Sequence, residues 1–230
     1  MIGVFDSGKG GENTVRHLRR LAPRADIALF TDRAHLPYGT KSADELTRLT
    51  ELGVARLKAA GCARILIACC TASTVHALLS PEARSCSVPI IEPTAKAALC
   101  AAEGGKIALI ATEATVRSRE FDRALGDKLV RAIPAGPLVR WIESGSRDGN
   151  VCEGLGEYLD EIAMKIAESG ADALILGCTH FVSLRQAIEL SLMKITKRKI
   201  LTVDSSESGA VEMLKCYPEA RLGEGRLDRI

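Results

Sequence analysis

Residues 63–73, A-R-I-L-I-A-C-C-T-A-S, carry four apolar residues, Ile65 to Ala68, straight into a cysteine pair and then into small polar residues. A run that is apolar on both faces reads as a strand covered by helices on either side of a parallel sheet. Cys69 then stands at the strand's carboxyl end, the place where open α/β sheets bind ligands. The stretch has a near twin in residues 173–181, A-L-I-L-G-C-T-H-F, where a second apolar strand runs into Cys178. The approach to each cysteine is also alike. Leu46, Leu49, Val54 and Leu57 trace a helix that stops at Gly61, and Leu155, Leu159, Ile162 and Ile166 trace another that stops at Gly170. Each glycine lies eight residues before its cysteine. The pattern predicts a duplicated βα unit with an offset of 109 residues.

Working outward, Ile2 to Phe5 is a short strand ending in Asp6-Ser7-Gly8-Lys9-Gly10-Gly11, with a helix behind it on Val15, Leu18 and Ala22. The loop lacks the lysine-serine/threonine ending of a P-loop and the third glycine of the dinucleotide fingerprint. Its backbone N–H groups suit a small anion such as a carboxylate. Asp6 serves either as a local cap or in a site. Ile27 to Thr31 is the next strand, followed by the irregular loop Asp32 to Gly39. Ser42 to Glu45 forms a capping box for the helix that ends at Gly61. Thr71 to Leu79 reads as a helix, and Val88 to Ile91 as a strand closed by Glu92-Pro93. Lys106 to Ile110 then runs into A-T-E-A-T and a helix from Val116, echoing the start. Ile200 to Val203 is a last strand and Gly209 to Leu214 a last helix. The tail after Pro218 is expected to be loosely held.

The 230 residues are 47% apolar, enough for a sizeable core, and 31 basic against 29 acidic side chains leave a net charge of +2. No field of one sign points to nucleic acid or a membrane surface, and the cluster Lys194, Lys197, Arg198 and Lys199 reads as a solvated helix end. No apolar run has the length of a membrane span, and the first residues have no secretory pattern, so the expected location is the cytoplasm. Eight cysteines in that setting read as reduced thiols. None of them form C-x-x-C, and no H-x-x-x-H accompanies them, so no metal site is expected.

Two cysteines at equivalent strand ends suit one reaction well. If the two units face each other across a pseudo-twofold axis, Cys69 and Cys178 face each other across a crevice. Inverting a tetrahedral carbon by proton transfer needs a base on one face and an acid on the other. A thiol, ordinarily titrating near pH 8.5, can take either role.

Five motifs carry a family resemblance: I-G-V-F-D-S-G-K-G-G (Ile2 to Gly11), L-P-Y-G-T-K-S (Leu36 to Ser42), A-C-C-T-A-S (Ala68 to Ser73), I-E-P-T-A-K-A-A (Ile91 to Ala98) and L-G-C-T-H-F (Leu176 to Phe181). In this order they resemble the glutamate racemases of the aspartate/glutamate racemase superfamily. The resemblance implies a cofactor-independent racemase that supplies D-glutamate for peptidoglycan, and a homodimer. It also implies two similar flavodoxin-like α/β domains with parallel sheets, residues 1–93 plus 207–230 and residues 94–206, with the substrate bound between them. Cys69 and Cys178 match the proton-transfer pair. Asp6, Ser7, Tyr38, Gly39, Thr179 and His180 match positions that contact the amino acid. On chemical grounds Asp6 and His180 are suited to orient substrate or relay protons, and Thr71 and Thr179 to donate hydrogen bonds to its carboxylates. Glu143, in W-I-E-S-G, matches a glutamate that assists the second cysteine.

Departures from the family pattern matter too. Cys70 stands where the family motif A-C-N-T-A-S has a substrate-contacting asparagine, and Glu12-Asn13 stand for a usual Leu-Thr. A thiol is a poorer donor and acceptor than an amide. Losing a hydrogen bond to a charged group costs about 1.5–3 kcal/mol. Two other readings follow from Cys70. The enzyme would act on aspartate or another amino acid, or the fold would persist as a weak or inactive racemase that binds a protein partner.

Overall fold

The computed structural model describes residues 1–150 and 152–230. Among the described residues nine strands, β1 (Ile2–Asp6), β2 (Ile27–Thr31), β3 (Arg64–Ile67), β4 (Ser87–Pro89), β5 (Ile107–Ala111), β6 (Leu129–Pro134), β7 (Ala173–Gly177), β8 (Leu201–Asp204) and β9 (Leu227–Arg229), build two parallel sheets. The first has the order β4-β3-β1-β2-β9 and the second, read in the same sense, β8-β7-β5-β6. Strands β1 to β4 and β5 to β8 therefore repeat one topology. In each unit the strand that leads into the cysteine, β3 or β7, lies beside the unit's first strand.

Both sheets are covered on both faces, which is why their strands are apolar throughout. Side chains alternate across β3 and continue to alternate through the cysteine pair. Ile65, Ile67 and Cys69 pack in one layer with Leu46, Leu49, Val54 and Leu57 of the helix Ala43–Ala59. Leu66, Ala68 and Cys70 pack in the other, with Val15 and Leu18 of the helix Gly11–Leu21 and Ala210 and Met213 of the helix Ser205–Cys216. The period of two fixes this: neighbours in an extended chain point to opposite faces. In the second sheet, Ala108, Ile110, Leu174 and Leu176 meet the helices Leu155–Ser169 and Arg185–Thr196. Leu109 and Ile175 meet the helices Ile91–Ala101 and Glu120–Leu125. Each fully buried leucine or isoleucine stabilises the fold by about 1.5–3 kcal/mol.

The expected capping box forms in part. Ser42 Oγ accepts from the Glu45 N–H at 3.2 Å, while the Glu45 carboxylate takes Lys41 Nζ at 2.5 Å instead. Gly61 and Gly170 both adopt positive φ, +83° and +66°, where a side chain would be strained, and so end their helices.

Several expectations are corrected. Thr71 to Leu79 is not one helix but a single turn, Cys70–Ser73, and a 3₁₀ turn, His76–Leu78. The strand expected to reach Ile91 ends at Pro89, and the helix Ile91–Ala101 begins at once. Pro93 lies in that helix's first turn, where the missing N–H would have had no helical partner. The division expected at residue 93 thus falls inside a helix whose first residue, Ile91, packs in the second sheet's core. The tail is tied down: β9 pairs with β2, and Arg229 reaches Glu12 at 3.1 Å. The basic cluster is the expected solvated helix end: its four side chains are exposed, with Lys194 pairing to Asp160 and Arg198 to Asp172. Among the described residues no helix is long and apolar enough to cross a membrane.

Candidate active site

The loops after β1 and β3 meet those after β5 and β7, so residues from both units converge. Asp6, the last residue of β1, is fully buried. Its Oδ1 accepts from the Gly8 N–H at 2.9 Å and its Oδ2 from Thr179 Oγ1, of the other unit, at 2.9 Å. Burial raises its pKa, against the pull of His180 and these two donors. Ser7 Oγ lies 3.4 Å from Cys69 Sγ. Burial pushes the Cys69 thiol up to about 11, and the Asp6 charge adds to this. The Ser7 hydroxyl and the N–H groups of Ala72 and Thr71 favour the thiolate.

The second cysteine has a different environment. Cys178 Sγ is 3.7 Å from His180 Nδ1, and His180 Nε2 is 2.7 Å from Glu143 Oε1. A carboxylate only accepts, so Nε2 carries the hydrogen and Nδ1 is left free to accept from the thiol. Burial opposes the Glu143 charge, but His180 and Lys9 outweigh it and hold the carboxyl down to about 2. Lys9 contributes its N–H to Glu143 Oε1 at 3.0 Å, and Arg33 stands 3.6 Å from Oε2. Burial pushes the Cys178 thiol well above its ordinary value, with the Cys70 and Cys69 sulfurs adding to the effect.

Both thiols line one cavity of about 120 Å³, together with Ser7, Tyr38, Gly39, Thr71 and His180. These expected site residues come together from loops far apart in the chain. Asp6, Thr179 and Glu143 stand behind the lining: Thr179 is bonded to Asp6, and Glu143 holds His180, which lines the cavity. The Tyr38 hydroxyl donates to Asp32 Oδ2 at 2.7 Å. Burial and the Asp32 carboxylate raise its pKa, so the phenol stays neutral.

Cys70 is the correction. It is 1% exposed and packs on the opposite face of β3 from Cys69, against Ala210 and Met213, outside the lining. Its thiol, raised by burial first and by the nearby Cys69 second, stays neutral there.

Several residues were not anticipated. Thr112 and Glu113, after β5, line the cavity, as do Leu36, Pro37 and Arg140. Thr71 Oγ1 lies 2.8 Å from Thr112 Oγ1 and 3.2 Å from Thr115 Oγ1, joining the two units by hydroxyls. The duplication could have found Thr112, which follows β5 as Ser7 follows β1. Asn13, where the family pattern has threonine, donates through Nδ2 to Thr179 O at 2.8 Å and to Ser183 Oγ at 3.3 Å. It thus anchors both ends of the turn that carries His180.

The glycine loop permits this closeness. A Cβ on Gly8 would lie 2.7 Å from Glu143 Oε1 and 2.9 Å from His180 Nε2. One on Gly10 would lie 2.1 Å from Thr179 Oγ1 and 2.9 Å from the His180 backbone nitrogen. Gly10→Ala is therefore expected to displace the Cys178 loop, at a cost of about 1–3 kcal/mol. Urea denaturation measures it, and an unchanged midpoint would contradict this packing. Elsewhere, His17, Asp204 and Glu207 bring possible ligand atoms within 4.8 Å of one another. His17 is already bonded to Asp204 at 2.9 Å and Glu207 to Arg20 at 2.5 Å, so these groups are engaged with one another and with Arg20.

Comparisons agree with this geometry. The family model described as Asp/Glu/Hydantoin racemase matches residues 9–213. The glutamate racemase of Koribacter versatilis is 38% identical over 220 residues, covering 94% of this chain and 74% of that protein. That of Desulforudis audaxviator is 39% identical over 194 residues, covering 82% and 70%. Among solved structures, glutamate racemase RacE1 from Bacillus anthracis superposes with a TM-score of 0.86 at 26% identity, covering 100% of this chain and 86% of that one. Francisella tularensis glutamate racemase in complex with D-glutamate gives 0.83 at 26% identity, covering 99% and 85%. With two matching parallel sheets, a thiol at the same strand end of each, and a family match spanning nearly all of its length, this chain belongs to the Asp/Glu/Hydantoin racemase family.

Proposed function

We propose that this protein interconverts L- and D-glutamate by proton transfer at Cα between Cys69 and Cys178. The observation that carries the reading is the pair of buried thiols, one from each repeated unit, lining a single cavity. The glutamate racemases of Koribacter versatilis and Desulforudis audaxviator support the choice of substrate. In one direction a thiolate at one cysteine takes the Cα proton while the other thiol delivers its proton to the opposite face. The reverse reaction exchanges their roles. Both proton carriers belong to the chain itself. Cys69 has Ser7 and two backbone N–H groups to stabilise its thiolate. Cys178 has His180 to receive its proton, and Glu143 to balance the imidazolium formed. The family resemblance supports D-glutamate for peptidoglycan as the product's use.

Incubation with either enantiomer of glutamate in D2O tests the reading. Deuterium should enter at Cα as the optical rotation decays toward zero. Absence of exchange from both enantiomers would overturn it.

A further inference from the structure

The helix Pro137–Glu143 turns one face toward the cavity. Pro137, Val139 and Arg140 line it, and Glu143, three residues beyond Arg140, reaches His180. Residues three apart share a helix face, so the Arg140 side chain leaves the helix on the side of the site. Arg140 is exposed at the cavity's rim. Among the described residues it is the only lysine or arginine in the lining, and no carboxylate or carbonyl is paired with its guanidinium. Its nearest acid along the helix is not free to take it. Glu143 is held by His180, Lys9 and Arg33.

Every α-amino acid brings the same ammonium, α-carboxylate and Cα to the two thiols. What sets a dicarboxylic acid apart is its second carboxylate. Besides His180, the polar side chains of the lining are the hydroxyls of Ser7, Tyr38, Thr40, Thr71 and Thr112 and the acid Glu113. None of these offers a fixed positive charge. A guanidinium does, in a planar fork that fits a carboxylate with two parallel hydrogen bonds.

We propose that Arg140 is a specificity-determining residue that binds the distal carboxylate of a dicarboxylic amino acid at the rim of the two-thiol cavity. This rests on the racemase reading and adds to it the group that selects the substrate's side chain. Glutamine is the matching probe, since it keeps the shape of glutamate and removes the charge.

The test compares the parent protein with R140A and R140K by racemisation kinetics, and by calorimetric titration with glutamate and with glutamine. R140A should weaken glutamate binding roughly ten- to a hundredfold, seen in KM more than in kcat, and leave glutamine binding within about threefold. R140K, which keeps a charge without the fork, should fall between. Equal losses for glutamate and glutamine would mark a structural role and overturn the proposal, as would unchanged glutamate binding. If the parent binds glutamate and does not racemise it, the catalytic reading fails, and the two titrations still decide the role of Arg140.

Discussion

Serine in place of Cys178 should lower racemisation of glutamate by about 10²–10⁴-fold, and serine in place of Cys69 should do the same. The size follows from the chemistry of a hydroxyl at either position. A hydroxyl gives up its proton far less readily than a thiol, so it supplies neither a base to start the reaction nor an acid to finish it. Each transfer needs its own group, because the two faces of a planar Cα cannot be reached from one side of the cavity. The surviving thiol can still remove a proton from the enantiomer that presents Cα–H to it. Each single variant should therefore exchange the Cα proton of one enantiomer with solvent faster than the other, and the preferred enantiomer should be opposite for the two variants. Chirally resolved mass spectrometry after incubation in D2O reads both effects. The substitution is nearly isosteric, and both cysteines are more than nine-tenths buried, so urea denaturation serves as the control for folding. Full racemisation by either variant would end the two-thiol mechanism.

Much of this arrangement was legible in the chain because duplication exposes what it repeats. The strand, cysteine and threonine after Gly61 and after Gly170 gave the sheet, the strand order's starting points and the two thiols. The short edge strands were not legible. β9 is three residues, L-D-R, without an apolar pair, and becomes a strand only because β2 offers an open edge. β6 has a single buried residue, Ile133, and a bulge beside Ile107, so its pattern is broken at the level of sequence. The direction of Cys70 was legible and was overridden by the family pattern. Counting by twos from Ile65 puts Cys69 with Ile67, and Cys70 with Leu66 and Ala68 on the covered face. A thiol there fills an apolar layer, where an amide would require partners. Contacts between the units, such as Asn13 with Thr179, follow from how the sheets face each other, and no local spacing encodes that.

Replacing Glu143 by glutamine should lower kcat/KM about ten- to a hundredfold at pH 7 and move the pH–rate profile toward alkali. Burial leaves the Cys178 thiol reluctant to ionise, its pKa well above the ordinary value. Acting alone, such a thiol would gain thiolate only as pH rises, tenfold in rate per unit below its pKa. His180 supplies an internal route, since the proton can pass over 3.7 Å from Sγ to Nδ1. The imidazolium so formed is tolerable in a buried place because a carboxylate lies 2.7 Å from Nε2. The Glu143 carboxyl titrates at about 2, below its unfolded value, so its charge is complete above the usual carboxylate range and is lost only as pH falls through about 2. Across neutral pH the counter-charge is therefore always present in the parent protein and always missing in the glutamine variant. Without it the thiolate must come from hydroxide in solution, which turns a broad neutral plateau into a rising limb. His180→Asn, which removes the proton acceptor itself, should show the same rising limb with a larger loss at pH 7, on the order of 10²-fold or more. Rates measured from pH 6 to pH 10 for both variants decide the matter. A glutamine variant with the parent's pH profile would show that Glu143 only holds the histidine ring in place.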